Sequence, residues 1–378
     1  MKYFAVPMFL VAVLLAAGAV QGATQFSTTA TYTTPQATDG AANIGLSGTP
    51  ITVTMSGSGM FSPWTGYLIV GRTSSGTAAN AELVYTDSAG QTSGGSSTLC
   101  VGYYAGGVDV LRLTASAGTF TAGGTAVSHY IGCNVGTTGS GTLYLEGGTF
   151  DAKGSVTVGG RTSGSSGSRG YVYQTGGTFQ TAASKSLFIG GSTAGSGTVG
   201  YYKISGGTMT VGGDLNVSAS GASGISSTFE VCGSGATSIT IGGTFSLVTS
   251  PDTTLRFLMD SGGVDYISTY GVKGGATGAT NNTLTGVVDL GFVGAYLPTV
   301  TTTYDLIRTT YNGLPTFDIS GVTLSQEDID AGWSLQAVND GSNKFTVQAT
   351  YTVIPEPATM GLLGLGLIGL MFGRRRSR

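Results

Sequence analysis

The sequence predicts an all-β fold, a parallel β-helix built from coils of about 30 residues. Gly is abundant, with 66 residues of 378, and only 9% of the side chains are charged. Short alternating apolar runs rich in Thr, Val, Tyr and Ile are typical of strands. Two independent sequence columns repeat with one period, which indicates a solenoid. Because the hydrophobic fraction is 40%, the chain can bury a core.

The first column consists of small residues followed by Thr and an apolar residue. Its glycines are Gly118, Gly148, Gly177 and Gly207, spaced by 30, 29 and 30 residues. The second column consists of short triplets that end in Gly71, Gly102, Gly132, Gly159 and Gly190, with Ser218 continuing it. We expect these glycines to form corners, where the backbone needs a positive φ.

Each coil is expected to contain three short strands, for example 143–145, 149–151 and 156–158. Coils stacked about 4.8 Å apart would align equivalent residues into ladders. We predict one interior ladder of Phe120, Phe150, Phe179 and Met209, and a second of Leu113, Leu143, Val172 and Tyr202. A propeller is the alternative, but its blades need about 40–50 residues.

The predicted organisation has five parts. They are a signal peptide over 1–23, N-terminal strands or a cap over 24–65, the solenoid over 66–250, an irregular β-rich cap over 251–352, and a tail over 353–378. The repeats fade after Pro251, and the end of a solenoid must be covered against edge pairing. The irregular strands after this point resemble the tail of autotransporter-like passenger β-helices.

The N-terminal segment has the order of a secretory signal peptide. Lys2 precedes the apolar stretch 4–19, and the small residues Gly22 and Ala23 follow. This order predicts a signal helix, export by the Sec machinery and cleavage after Gly22 or Ala23.

The tail combines three parts in a fixed order. Pro355, Glu356 and Pro357 come first, and the apolar run 360–372, predicted as a short helix, comes second. The basic residues Arg374, Arg375, Arg376 and Arg378 come last. Prolines keep the first part out of a helix, and the arginines stay cytoplasmic by the positive-inside rule. An ordinary span needs about 20 residues, so the shorter run favours a transient anchor.

This order resembles the PEP-CTERM sorting signal of Gram-negative bacteria that make exopolysaccharide. The resemblance implies that an exosortase, a membrane protease, recognises Pro355, Glu356 and Pro357. It also implies an inner-membrane intermediate, followed by release to the cell surface or extracellular matrix. Ile354 stands where this family usually has Val. A glycolipid-anchor signal would lack the terminal arginines, and a sortase signal would need LPxTG.

The body shows no catalytic pattern in its sequence. His129 is the single histidine, no GxSxG motif is present, and no histidine pair could bind zinc. The carboxylates fall at different phases of the repeat; they include Asp109, Glu146, Asp151 and Asp214. We therefore expect no enzyme activity, no catalytic residue, no cofactor and no metal. A group of Glu327, Asp328 and Asp330 is interpreted as a solvated turn, with a calcium site as the alternative.

The charge of the body bears on its partners, and its cysteines bear on disulfide formation. Without residues 1–23 and the tail from Ile354, 18 acidic and 11 basic residues remain, and no basic patch is visible. We therefore expect no nucleic acid partner. Cys100, Cys133 and Cys232 are interpreted as small core residues, with one disulfide as the alternative.

The function predicted first is a structural or interaction protein of the cell surface, with exopolysaccharide as a partner. A carbohydrate-binding protein is the alternative, because a row containing Tyr144 and Tyr173 could contact sugars. An ice-binding role is weaker, since it rests on a threonine row of Thr119, Thr149, Thr178 and Thr208. A polysaccharide-degrading enzyme is the third alternative.

Overall fold

The computed structural model is almost entirely built from strands. It describes residues 24–34, 36, 42–45, 49–56, 66–71, 80–92, 97–103, 107–132, 139–160, 167–191, 197–218, 224–248, 252–274, 283–310, 317–341 and 344–354. The predicted signal helix and the predicted helix of the tail lie outside these residues.

The first strands are β1 Thr24–Phe26, β2 Ala30–Tyr32, β3 Ala42–Ile44, β4 Ile51–Met55, β5 Tyr67–Val70, β6 Ala81–Tyr85, β7 Gln91–Thr92, β8 Thr98–Val101, β9 Val108–Leu113 and β10 Thr119–Ala122. The middle strands are β11 Ser128–Ile131, β12 Ser140–Leu145, β13 Thr149–Ala152, β14 Ser155–Val158, β15 Arg169–Gln174, β16 Thr178–Thr181, β17 Leu187–Ile189, β18 Val199–Ile204, β19 Gly207–Val211 and β20 Leu215–Val217. The last elements are β21 Ser226–Cys232, β22 Ala236–Leu247, β23 Thr253–Met259, β24 Ile267–Gly274, β25 Thr283–Phe292, β26 Thr302–Thr309, β27 Asp318–Leu324, α1 Gln326–Asp330, β28 Trp333–Asn339 and β29 Phe345–Tyr351.

The strands stack in parallel into three faces, which confirms the predicted parallel β-solenoid. Face A is a sheet of β2, β4, β6, β9, β12, β15, β18, β21, β23, β25 and β27. Face B contains β7, β10, β13, β16 and β19, and face C contains β1, β3, β5, β8, β11, β14, β17 and β20. The long strands β22 and β24 bend through a corner and join faces B and C.

The interior ladder of face B is confirmed. Phe120 pairs with Phe150, Phe150 with Phe179, and Phe179 with Met209. All four side chains are fully buried. The Phe120 and Phe150 ring centroids lie 6.1 Å apart, and those of Phe150 and Phe179 lie 5.5 Å apart, in stacked orientations. Parallel pairing in register therefore turns the sequence repeat into a continuous apolar core.

The interior ladder of face A differs from the prediction at one residue. Leu143, Val172 and Tyr202 are in register, but Leu143 pairs with Leu111 rather than with Leu113. The turn between β9 and β10 is longer than the turn between β12 and β13, and this shifts the strand before it. The assignment of Leu113 to this ladder is therefore wrong. Leu113 belongs to the neighbouring interior column, where it pairs with Leu145.

The corners after face C confirm the role predicted for glycine. Positive φ angles between +78° and +111° occur at Gly71, Gly102, Gly132, Gly159 and Gly190. Each of these residues donates its backbone N–H to a carbonyl of the preceding coil, at 2.7–2.9 Å. Ser218 holds the same corner with φ +57°, although it is not glycine.

Parallel stacking extends beyond the predicted range 66–250 in both directions. Face A runs without interruption from β2 to β27, so the segments 24–65 and 251–352 both contribute coils. The irregular part at the C-terminal end is shorter than the predicted cap. It consists of α1 and the antiparallel strands β28 and β29, and β29 pairs with β26. Trp333 and Tyr351 pack together there, with ring centroids 5.1 Å apart.

Candidate functional site

The predicted sorting residues lie outside the described part of the chain. They are Pro355, Glu356, Pro357, Arg374, Arg375, Arg376 and Arg378. The described chain ends at Ile354, which is 53% exposed. The Thr352 N–H donates to the Gly332 carbonyl at 2.9 Å, so the chain is held to the terminal hairpin just before the tail.

No helix among the described residues is long and apolar enough to cross a membrane. The apolar run 360–372, which was predicted to enter the membrane, is not among them.

The predicted sugar-contacting residues, Tyr144 and Tyr173, lie side by side on the outer surface of face A. Their strands β12 and β15 pair in parallel, with Tyr144 opposite Tyr173. The ring centroids are 5.4 Å apart and the planes differ by 16°. We call the part of this row from Arg112 to Asp289 the outer column; its members are Arg112, Tyr144, Tyr173, Lys203, Glu230, Arg256 and Asp289.

A second outward row runs beside the outer column on face A. Tyr171 pairs with Thr142 on one side and with Tyr201 on the other. A depression of about 630 Å³ opens between the coils here. Its polar lining consists of Ser140, Thr142, Tyr144, Arg169, Tyr171 and Tyr173. The structure therefore places both predicted tyrosines in one concave site.

The ring faces of the two tyrosines are covered. Tyr144 and Tyr173 cover one another, and the Arg112 guanidinium lies 4.3 Å from the Tyr144 ring centroid. Tyr201 lies against the other side of Tyr173, with centroids 5.7 Å apart. Sugar rings therefore cannot stack on these faces as they do on an isolated aromatic side chain. The column instead offers ring edges and phenol groups to a ligand.

Alternating charges continue the outer column beyond the tyrosines. The Lys203 ammonium lies 2.8 Å from the Glu230 carboxylate, and the Tyr201 phenol donates to the same carboxylate at 2.8 Å. Arg256 contacts Glu230 at 3.7 Å and Asp289 at 2.6 Å. At the other end, Arg112 pairs with both Glu82 and Glu146. The two carboxylates of the outer column, Glu230 and Asp289, are thus matched by Lys203 and Arg256, whereas Arg112 is shared by two carboxylates.

The single histidine is sealed inside the solenoid. His129 is fully buried, and its Nδ1 atom accepts a hydrogen bond from the Leu99 N–H at 3.2 Å. Burial lowers the pKa of His129 to about 4, because the charged imidazolium would lose its hydration. His129 is therefore neutral at physiological pH and does not reach the surface.

One carboxylate also points inward. Asp109 is buried, and its Oδ1 atom accepts a hydrogen bond from the Ala81 N–H at 3.0 Å. Burial raises the pKa of Asp109 to about 7, partly offset by that hydrogen bond. The next coils carry Gly141, Gly170 and Gly200 at the equivalent position, so Asp109 is an exception within its column.

The acidic group near the C-terminal end forms the short helix α1. Ser325 caps this helix by accepting the Asp328 N–H at 3.0 Å, and Asp328 is buried. Gln326 donates to Asp330 at 2.7 Å. Among the described residues, no three His, Cys, Asp or Glu side chains are placed to hold a metal ion.

The structure describes two of the three cysteines. Cys100 is buried, Cys232 is half-buried, and no disulfide joins them. Cys133 lies outside the described residues. Burial raises the pKa of the Cys232 thiol.

Sequence reasoning missed several residues of the site, above all Arg169, Tyr171 and Tyr201. A signal was present, because Arg169, Tyr171 and Tyr173 alternate at every second position of β15. Alternation of this kind places all three side chains on the same side of the sheet. The threonine row is confirmed in register, but it lies on face B, away from the depression.

Comparison with known proteins identifies the tail alone. Residues 353–376 match the family model described as the PEP-CTERM protein-sorting motif. No curated protein and no solved structure matched the chain, so the resemblance to autotransporter passengers stays a prediction. The match means that the tail directs the chain to an exosortase, a membrane protein, during export to the cell surface. The chain therefore carries a PEP-CTERM sorting motif, which indicates export through an exosortase-dependent step, on a β-solenoid body.

Proposed function

We propose that the chain is a non-catalytic interaction protein of the cell surface whose solenoid associates with extracellular polysaccharide. The observation that carries the proposal is the outer column of face A. This column places phenols, cations and carboxylates in one row along the solenoid. The row lies over a core of stacked, buried apolar side chains. The Sec machinery delivers the chain across the inner membrane of a Gram-negative-type cell. The sorting tail follows the last strand of the solenoid in sequence.

Two features support a binding role over catalysis. The carboxylates of the outer column, Glu230 and Asp289, are engaged in ion pairs with Lys203 and Arg256. The only imidazole, that of His129, is buried. Most glycoside hydrolases use a carboxylic acid and a carboxylate that both face the substrate. The residues of the depression instead provide hydroxyl groups and one guanidinium.

The test is fractionation of the producing cells into membrane, extracellular polymer and free medium. We expect the wild-type chain in the polymer fraction. A variant with Pro355→Ala, Glu356→Ala and Pro357→Ala should stay with the membrane, because the exosortase no longer recognises it. A variant with Tyr144→Ala and Tyr173→Ala should be processed normally but appear in the medium.

The matched control replaces two exposed tyrosines outside the depression, Tyr67→Ala with Tyr270→Ala, and should behave as wild type. If the Tyr144 and Tyr173 double variant stays in the polymer fraction like the control, the proposed role of face A is wrong. If the wild-type chain is found only in the medium, association with polysaccharide is wrong.

A further inference from the structure

The depression on face A is unbalanced in charge. Arg169 is exposed at its rim and forms no ion pair with any described residue. No carboxylate is among the residues that line the depression. The segments that precede the three contributing strands, 104–106, 133–138 and 161–166, contain no Asp or Glu in their sequence. A guanidinium without a counter-charge is thus left at a concave surface.

The hydroxyl groups of the depression add hydrogen-bond donors to this cation. The phenols of Tyr144, Tyr171 and Tyr173 form no hydrogen bond with another described residue. Burial raises the pKa of Tyr173, so its O–H stays protonated and able to donate at physiological pH. Ser140 and Thr142 contribute two further hydroxyls.

The covered ring faces point to the same kind of ligand. Because Tyr144 and Tyr173 stack on one another, they turn their edges outward. The edge of an aromatic ring carries the positive part of its quadrupole, whereas the face carries the negative part. The depression therefore presents ring edges, O–H groups and a guanidinium, all of which favour an anion.

The negative charge of the whole body does not oppose this preference at the site. Charges at the surface are largely screened beyond about 8 Å at physiological salt, so the local groups decide. The acidic residues on either side of the tyrosines are ion-paired: Glu146 with Arg112, which also pairs with Glu82, and Glu230 with Lys203.

We propose that this depression binds an acidic polysaccharide. A carboxylate of the polymer pairs with Arg169, and hydroxyl groups of the polymer form hydrogen bonds with the tyrosine phenols. Arginine suits this task, because its planar fork can donate two parallel hydrogen bonds to one carboxylate. The inference rests on the proposed surface role and adds the chemical class of the glycan.

The shape of the site fits a polymer. The lining comes from three consecutive strands, β9, β12 and β15, which span about 10 Å along the solenoid at 4.8 Å per step. The depression is open to solvent, so a polysaccharide can reach it from outside the solenoid. A short stretch of polysaccharide can therefore lie across the coils without a free chain end.

The experiment measures binding of the protein, in the form purified from the producing cells, to three probes. They are polygalacturonate, the same polymer after reduction of its carboxyl groups to alcohols, and double-stranded DNA. We expect polygalacturonate to bind about tenfold or more tightly than the reduced polymer, because a charge-assisted hydrogen bond is lost on reduction. The binding should weaken as salt is raised. DNA should bind more weakly than polygalacturonate.

Substitutions localise the effect. Arg169→Gln should weaken polygalacturonate binding about tenfold and leave the reduced polymer unaffected. Tyr171→Phe with Tyr173→Phe keeps the rings and should weaken both polymers a few-fold. The matched controls are Arg308→Gln and Tyr270→Phe, which lie outside face A and should change neither.

Three results would overturn the proposal in different ways. Equal binding of both polymers would remove the acidic class and leave the surface role standing. Equal binding of DNA and polygalacturonate would show a general polyanion surface rather than a glycan site. Binding to neither polymer, together with a Tyr144 and Tyr173 variant that stays in the extracellular polymer, would reject both this site and the proposed role of face A.

Discussion

Two rows of stacked rings run along the solenoid, one inside and one outside. The interior row on face B contains Phe120, Phe150 and Phe179, which are fully buried. The outer column on face A contains Tyr144 and Tyr173, which are only partly buried. The ring spacing is similar, 5.5 Å between Phe150 and Phe179 and 5.4 Å between the two tyrosines.

The difference between the two rows follows from which side of the strand carries the side chain. Successive residues of a strand point to opposite faces, so one repeat geometry builds both rows. The inner row removes apolar area from water and stabilises the fold. The outer row gains less from burial and keeps its polar groups available. The following predictions test this division.

The largest effect is expected from Phe150→Ala, in the middle of the inner row. The substitution opens a cavity between two stacked rings and should lower the free energy of unfolding by about 3–5 kcal/mol. The comparison variant Tyr144→Ala in the outer column should cost about 1 kcal/mol or less. Denaturant unfolding of both variants measures the two costs. Similar costs would contradict the division into a stabilising and a binding row.

The buried Asp109 should make the interior sensitive to pH. Its folded-state pKa of about 7 lies above its ordinary value of 3.8, so its protonated form is favoured by folding. The associated stability is complete below about pH 4 and is lost as the pH rises to about 7. The loss is at most about 4 kcal/mol, because a tenfold change in protonation preference is worth about 1.4 kcal/mol.

Asp109→Asn removes this titration and should preserve the hydrogen bond from Ala81. The free energy of unfolding of this variant minus that of wild type should therefore increase from pH 4 to pH 8, because only the wild type loses stability over this range. Denaturant titrations at pH 4, 6 and 8 give this difference, in which the other titrating groups cancel. A difference that does not change with pH would show that Asp109 is ionised in the folded chain.

Gly170 should tolerate no side chain, although Asp109 occupies the equivalent position two coils earlier. A Cβ atom at Gly170 would lie 2.1 Å from the Ile131 carbonyl oxygen and 2.2 Å from the Gly159 nitrogen. Because backbone atoms cannot move aside cheaply, Gly170→Ala should cost about 1–3 kcal/mol. The control is Gly291→Ala, whose new Cβ would meet only the flexible Leu258 side chain, at 3.0 Å. In thermal unfolding, Gly170→Ala should lower the melting temperature clearly more than Gly291→Ala does.

The smallest effect is expected at the charged end of the outer column. Arg112 pairs with Glu82 and Glu146 and covers the Tyr144 ring, but all of these groups are partly exposed. Arg112→Gln should cost less than about 1 kcal/mol, as exposed ion pairs usually do. The cost should shrink further in 1 M salt, where such pairs are screened. A cost that is large and independent of salt would place Arg112 with the structural core.

Much of the fold could be predicted from sequence, because the glycine corners fix the length of each coil. Gly132 and Gly159 mark consecutive corners, and the Phe150 ladder follows from the same period. The misplaced Leu113 shows where this reasoning stops. Leu111 and Leu113 both point inward on β9, so alternation cannot decide which of them faces Leu143. The longer turn after β9 decides it.

The extent of the solenoid was not predictable from the repeat alone. Val231, Phe257 and Leu290 stack directly on one another, yet they are 26 and 33 residues apart in sequence. Turns of unequal length between the strands remove the period without disturbing the pairing. The depression could not be predicted for a similar reason. Arg169 and Tyr144 are brought into one site only by the register of β12 and β15.

The central claim is that the tail directs this solenoid to an exosortase that releases it to the cell surface. Mass spectrometry of the C-terminus of the protein isolated from its producing cells tests this claim directly. The account predicts a chain that ends near Pro357 and lacks Arg374, Arg375, Arg376 and Arg378. A chain that runs intact to Arg378 and remains in the membrane fraction would contradict it.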